Sequence, residues 1–532
     1  MRRRGLCGTL ATLLLATILV GTDAGSVSLP SYPLAVKSPY LSTWVPGNQI
    51  TDAATAQPEF WAGQLLTWSV LARVDGTTYS LFGFPDSNKH ITAAKTNDVT
   101  YTSSHTLVQL SAGTANFTLD FFSPVLPGTG DYLEQSLPYS YLTASAGSTN
   151  GKNLRVQILS AIDQTWTAQG RAANLNYTSS DSAGFFRYHN PNEVPFTESS
   201  DMATYGSVVF ATDTGLDFGH ACGSPSNVYD TFASNGSLSS STACSGDDLA
   251  ALSKDLGFVG SSPSNVTFAV GFDREQAVNY LGRTQTGYYR SKWPTIAAAV
   301  SFVLQNYQRA LAISSTFDSD VRSKAQAVSS DFGSQYADIV EASVRQTFGA
   351  LELTVCASEV PQGGVALRVS QVPANDLPAT PYAFLKEISS DGNVNTMDVI
   401  FQTWPIFISL NPTYIRYMLQ PILDYLEAGR WPRPWVIHDI GSGTCLSRER
   451  LCYTIYLSCL PAPSLPQRYR SRRWKRRANA TLRDLLSVHP DVCVPEIQRR
   501  HLLGSKLPIL TARLRRVPRH ALALSSQPTH QR

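Results

Sequence analysis

Thr106-Leu107-Val108-Gln109-Leu110 and, a few residues on, Asn116-Phe117-Thr118-Leu119-Asp120-Phe121 place apolar side chains at alternate positions. Leu154-Arg155-Val156-Gln157-Ile158-Leu159 and Val266-Thr267-Phe268-Ala269-Val270 alternate or run apolar, and Gly, Ser, Asn or Pro bounds most of these runs. A period of two, β-branched residues and frequent turns predict antiparallel sheets packed as a sandwich. Working outward, Pro33 to Trp44, with Trp61, Trp68 and Tyr79 soon after, shows no helical spacing and reads as an extended docking segment. The 532 residues exceed what one core can fill, so two or three domains are expected. A content of 43% hydrophobic, 10% aromatic and 16% charged residues excludes a disordered chain.

The period changes near Tyr288. Pro294 and Thr295 open a helical stretch with apolar Ile296, Val300, Val303 and Leu304. A second carries Tyr336, Ile339, Val340, Val344, Thr347, Phe348 and Leu351, the three-and-four spacing of a helix packed on one face. A third runs from Tyr414 to Ala428 and stops at Gly429. Strands first and helices afterwards predict an α+β multidomain protein, with a β part separate from an α part.

Both ends differ from this middle. Met1-Arg2-Arg3-Arg4, a mostly apolar stretch from Leu6 to Val20 and the small residues after it read as a secretory signal peptide over 1–24. Export fits the sequons at Asn116, Asn176, Asn235 and Asn265, which are expected to be glycosylated, and the pairing of Cys222 with Cys244 across a Gly/Ser/Asn-rich loop. A fifth sequon, at Asn479, lies in the tail. From Cys445 onward the chain holds 18 Lys and Arg against 4 Asp and Glu and contains no Phe and no Met. The net charge of +3 therefore hides an acidic body and a basic tail. The change is abrupt enough to predict that 445–532 is an out-of-frame or unspliced translation, disordered and foreign to the fold, rather than a nucleic-acid-binding arm.

Lys37-Ser38-Pro39-Tyr40-Leu41-Ser42-Thr43-Trp44, Phe60-Trp61-Ala62-Gly63-Gln64 and Arg73-Val74-Asp75-Gly76 resemble the start of the fungal secreted glutaminase A family. Val344-Arg345-Gln346-Thr347-Phe348, the block from Phe384 through Lys386-Glu387-Ile388 and Asn395-Thr396-Met397-Asp398 to Phe401, and His438-Asp439-Ile440-Gly441 resemble its later motifs. The resemblance covers roughly residues 33 to 441, in order. It implies an exported L-glutamine amidohydrolase in which an N-terminal β region precedes an α/α toroid like that of six-hairpin glycosidases. Residues 356–378 look inserted, and the Asn/Gly/Asp-rich loop and further hairpins that follow the last motif in the family are missing. The toroid is therefore expected to be incomplete and to leave an apolar face uncovered, which favours aggregation.

Carboxamide hydrolysis requires an activated water or nucleophile, an oxyanion stabiliser and an acid for the departing amine. Lys386, Glu387, Asp391, Asn393, Asn395 and Asp398 form the most polar cluster of the matched helical region. Glu387 and Asp398 stand beside apolar Phe384, Leu385, Val399 and Ile400, where desolvation would raise a carboxyl pKa and suit a general base; capping a helix or pairing with Lys386 is the alternative. His438 can shuttle protons, with Asp439 beside it as partner or as helix N-cap. Glu387, Asp398, His438 and Asp439 are thus the expected catalytic residues, with Lys386, Asn395 and Trp61 expected to bind substrate. No cofactor and no metal site is expected, since His438 and Asp439 offer too few ligands and no CxxC pair occurs. The expected organisation is a leader at 1–24, a docking segment at 25–80, a β-sandwich at 81–285, a helical domain at 286–444 and the tail at 445–532. The expected function is secreted glutamine hydrolysis, outside the cell or in its wall. The small-molecule substrate is the only partner expected, with neither nucleic acid nor, after leader cleavage, membrane. A six-hairpin glycoside hydrolase and a non-catalytic carbohydrate- or wall-binding protein are the alternatives.

Overall fold

The structure is a computed structural model that describes residues 28–84, 90–168, 173–180, 182–215, 217–240, 243–360, 381–388 and 392–442, with the backbone of 445 and 446. The leader, most of 356–378, Asp391 and the tail, with its sequon and its predicted disorder, lie outside these residues. Every element below belongs to one contact-defined unit, Met1–Arg433 with Ile437–Ala462. The other unit, Pro434–Val436 with Pro463–Arg532, has only its first three residues among those described.

The chain opens with β1 (Ser31–Ser38) and β2 (Leu41–Pro46), an antiparallel hairpin extended by β3 (Glu59–Phe60); the short α1 (Gly47–Ile50) follows β2. Two sheets then form the sandwich. The six-stranded sheet takes β4 (Trp68–Val74), β5 (Thr77–Phe82), β6 (Ile91–Ala93), β11 (Leu154–Ile162), β17 (Asp217–Gly223) and β18 (Leu249–Val259), in the order β17-β18-β11-β4-β5-β6. The eight-stranded sheet takes β7 (Lys95–Tyr101), β8 (His105–Ala112), β9 (Ala115–Phe122), β10 (Tyr139–Ser148), β12 (Asn174–Ser179), β13 (Gly184–His189), β16 (Ser207–Thr212) and β19 (Ser264–Asp273). Its order is β12-β13-β16-β19-β10-β9-β8-β7. All pairings are antiparallel except β5 with β6, and the main core, including Trp68, Phe82, Phe121, Ile158 and Phe268, fills the space between the sheets. The short α2 (Tyr132–Gln135) and the two-stranded β14 (Glu198–Ser199) and β15 (Met202–Ala203) are excursions from this frame.

The expected docking segment at 25–80 is corrected here, because β4 and most of β5 lie inside it. Trp68-Ser69-Val70-Leu71-Ala72 is buried without a break, since Val70 and Ala72 face the sandwich core while Leu71 faces α3 (Pro225–Asn235) on the outer side. A central strand covered on both faces shows no alternation, so its period is hidden. The sandwich also ends before 285. β20 (Val278–Tyr280) and β21 (Arg283–Gly287) join β22 (Leu351–Cys356), β23 (Tyr382–Leu385) and β24 (Cys445–Leu446) in a separate sheet, ordered β23-β22-β21-β20-β24.

The helical part consists of two hairpins, α4 (Ile296–Gln326) with α5 (Gly333–Gly349) and α6 (Met397–Leu410) with α7 (Thr413–Glu427). This is the portion of an α/α toroid present among the described residues. Thr295 caps α4 by accepting from the Ala298 N–H. Val300, Val303 and Tyr307 of α4 lie on the outer face of the eight-stranded sheet against Phe122, Tyr141 and Phe185. At Gly349 a Cβ would come within 2.2 Å of Val36 Cγ1, so glycine permits α5 to end tightly against β1 and the chain to turn into β22. The helix expected to continue through Leu351 therefore becomes a strand there.

The buried face of α5 includes Val344, Thr347 and Phe348, as its apolar spacing suggests, but differs from it in the first half of the helix. Tyr336 and Ile339 are 46% and 61% exposed, whereas Asp338, Glu341 and Arg345 are nearly or wholly buried. These charges meet Asp318 and Arg322 of α4, near the Thr102–His105 turn. Asp318 Oδ2 accepts from Thr102 and Ser104 at 2.5 and 2.6 Å, and Arg322 binds Asp338 and Glu341 at 3.0 and 2.7 Å. Compensated charge thus joins sandwich and helices.

Candidate active site

The residues singled out from the sequence gather where β23 leads into α6. After Leu385 the chain forms a loop closed by the bridge between Lys386 and Val394, with the Glu387 N–H donating to Asn393 O at 2.7 Å. Asn395 ends the loop at φ 50°, a left-handed conformation that asparagine tolerates better than most residues. Its side chain is fully buried. Oδ1 accepts from the Leu385 N–H at 2.7 Å, and Nδ2 donates to Ala383 O at 3.1 Å and Met418 O at 2.9 Å. Asn395 is therefore a clamp between β23 and α7, which corrects its assignment to substrate.

Thr396 stands at the N-cap position of α6, and the segment ending in Gly441 lies alongside it. The Met397 N–H donates to His438 O at 2.8 Å, the Val394 N–H to Gly441 O at 2.8 Å and the Ile440 N–H to Val394 O at 3.1 Å. Buried Ile437 and Ile440 anchor this segment, so the two quoted motifs form one structural unit. Asp439 is 5% exposed; its Oδ1 accepts from the Gly441 N–H at 2.9 Å and its Oδ2 lies 2.8 Å from His438 Nδ1. With a carboxylate on that side, Nδ1 carries the proton and Nε2 is the basic nitrogen. Nε2 lies 3.9 Å from Asp398 Oδ1, in a ring whose side chain is 54% exposed. Glu387 Oε2 accepts from Thr396 Oγ1 at 3.3 Å.

Glu387, Asp398, His438 and Asp439 are thus brought onto one segment pair, with Thr396 as an addition that reasoning from residue type passed over. Asp398 differs from expectation: its side chain is 69% exposed, on the first turn of α6. Lys386 is also placed differently. Its side chain is 2% exposed and bound to Glu198 Oε2 at 2.9 Å and Asp201 Oδ1 at 3.3 Å, leaving it no open side for substrate. Trp61, partly buried, packs against the sandwich core beside Phe60, ring centroids 5.9 Å apart, and is not among the residues gathered at the head of α6. No group of three or more His, Cys, Asp or Glu suited to a metal occurs among the described residues.

Elsewhere, Asn116, Asn176, Asn235 and Asn265 are all exposed. A disulfide joins Cys222 to Cys244, Cα atoms 5.5 Å apart, and Cys356 is free.

Residues 104–324 match the family described as a domain of unknown function, DUF5127, and residues 333–444 match the glutaminase A six helical-hairpin domain. Glutaminase A of Aspergillus oryzae is 31% identical over 434 residues, covering 78% of this chain and 58% of that protein. A probable glutaminase of Arthroderma benhamiae is 24% identical over 450 residues, covering 77% of this chain and 48% of that protein. The chain thus spans about half the length of these relatives. Among solved structures, a putative kojibiose phosphorylase from the human microbiome aligns at TM-score 0.25 and 8% identity, over 60% of this chain and 40% of that one, too slight a likeness to carry an argument. Residues 333–444 thus carry a glutaminase A six helical-hairpin domain, preceded by the DUF5127 match, and the chain is similar to the glutaminase A family over most of its length.

Proposed function

We propose that the chain is an exported amidohydrolase that converts L-glutamine and water to L-glutamate and ammonia. The observation that carries this reading is His438, held by buried Asp439 at 2.8 Å with its basic nitrogen turned toward Asp398. In this reading Nε2 takes a proton from water as the oxygen attacks the carboxamide carbon. Asp439 stabilises the imidazolium, which then returns the proton to the departing ammonia. Asp398 and Glu387 border the reacting groups, Asp398 as a carboxylate suited to a substrate ammonium. The relatives' printed names support glutamine as substrate. Export is supported by the leader-like N-terminus and by four exposed sequons, which we propose are glycosylated. Among the described residues no helix is long and apolar enough to cross a membrane.

The test is release of ammonia and glutamate by the purified chain. His438→Gln should lower kcat by about 100-fold or more, the usual contribution of a positioned acid–base group. Reducing sugar released from oligosaccharides without ammonia from glutamine would replace this reading with the glycoside hydrolase. Carbohydrate binding retained in a Glu387→Gln/Asp398→Asn double variant, with no turnover lost, would replace it with the non-catalytic binding protein.

A further inference from the structure

Lys386 and Glu387 are adjacent in an extended segment, so their side chains leave on opposite sides. Glu387 goes to Thr396, and Lys386 goes into the sandwich. There Nζ meets Glu198 Oε2 at 2.9 Å, Asp201 Oδ1 at 3.3 Å and Asp201 O at 3.4 Å, three acceptors for three ammonium donors. The Tyr40 ring lies 4.7 Å from the same Nζ, and its hydroxyl donates to Glu198 Oε1 at 2.5 Å. Arg274 also stacks on this ring, at 3.8 Å, while gripping both oxygens of Glu352 on β22 at 2.7 Å. Glu352 pairs across the sheet with Phe384, two residues before Lys386. Nearly all of this is out of water, so the ammonium depends on these two carboxylates for compensation.

The backbone on both sides is set for the contact. Ser200 and Asp201, with φ of 49° and 63°, are the two left-handed residues that the tight turn between β14 and β15 requires, and the turn presents Asp201 at the hairpin tip. Opposite them Gly392 has φ 68°, and a Cβ there would stand 2.2 Å from Asp201 Oδ1 and 2.9 Å from Lys386 Cε. The β14–β15 tip is thus pressed onto the loop that carries Glu387.

We propose that Glu198 and Asp201 of the sandwich are positioning residues for the candidate active site, fixing the 386–394 loop through Lys386 and thereby holding Glu387 against Thr396. This deepens the amidohydrolase reading and rests on it for its catalytic consequence. It assigns the β domain a part in the reaction.

The test uses Glu198→Gln, which keeps the shape and removes the charge, and Gly392→Ala, which wedges the loop from Asp201 without altering any charge. Hydrogen exchange by mass spectrometry and glutamine kinetics are read on both. The expected result is exchange at least tenfold faster in the 386–394 peptide, with the β10 peptide unchanged. The kcat should fall at least tenfold while KM moves less than threefold, a split that loss of fold would not give. Unaltered exchange in the loop, or a loosened loop with full kcat, would overturn the proposal. If the unsubstituted chain releases no ammonia, the amidohydrolase reading fails by itself, and loop exchange still decides whether the sandwich holds the loop.

Discussion

Lys37 offers the sharpest prediction about stability. It sits on β1, 4% exposed, with Nζ donating to Pro124 O at 2.6 Å, and lines a small cavity with Tyr141, Phe302 and Val303. Burial, reinforced by the charge of Arg345 and opposed by Glu134, lowers its pKa from 10.5 to about 7. Between these values the unfolded chain binds a proton that the folded chain lacks, so stability rises by about 1.4 kcal/mol per pH unit. For a depressed folded pKa the stabilisation is complete above the unfolded value and is lost as pH falls through the folded one. From pH 7, where the folded lysine is half protonated, to pH 9 it should therefore add about 2.3 kcal/mol. Lys37→Met keeps most of the volume, cannot titrate, and forfeits a carbonyl bond worth about 1 kcal/mol. Urea unfolding of both proteins at pH 6, 7, 8 and 9 gives the difference directly, since groups that titrate alike in both cancel. The wild type should gain on the variant by about 2.7 kcal/mol between pH 6 and pH 9. A gap that stays constant within about 0.5 kcal/mol would refute the reasoning.

Asp318 should behave in the opposite sense: burial raises its pKa, so its stabilisation is lost as pH rises through the folded value, and Asp318→Asn should gain on the wild type from acid toward neutral pH in the same assay. Trp68, 1% exposed and set edge-on to Phe121 and Trp166 at 5.1 and 5.3 Å, should cost about 3–5 kcal/mol when replaced by Ala, measured by chemical denaturation. Val328, Phe332, Tyr336 and Ile339 are between 46% and 69% exposed around the α4–α5 turn and α5, a patch that favours self-association. Phe332→Ser with Ile339→Lys should lower light scattering of the concentrated chain, with helix content by circular dichroism unchanged.

The β runs that alternate were legible because one face meets the core and the other meets water or a helix. β4 was not, since both its faces are covered. α4, α5 and α7 were legible from spacing and end signals, whereas α6 was not, and the inward face of α5 was read correctly at Val344, Thr347 and Phe348 but misjudged in its first half. Spacing rules treat apolar as inside, whereas Asp338, Glu341 and Arg345 are buried there by pairing across α4 and the sandwich. At the site, the juxtaposition of His438 with Asp398 was carried by two motifs separated by about forty residues, which only the backbone bonds of Val394 and Met397 to the second motif bring together. Lys386 and Asn395 looked like ligands because polar residues cluster around them. What sequence could not supply was their partners, Glu198 and Asp201 for one and three backbone groups for the other, which consume their hydrogen-bonding capacity.

The central claim is that the His438–Asp439 pair does amide chemistry at the head of α6. Single-turnover release of ammonia from L-glutamine, followed across pH for the unsubstituted chain and for His438→Gln, tests it most directly. The account predicts turnover in the first, with a rate that rises as an imidazole loses its proton, and near-complete loss in the second at unchanged thermal stability. Equal ammonia release by both proteins would contradict it.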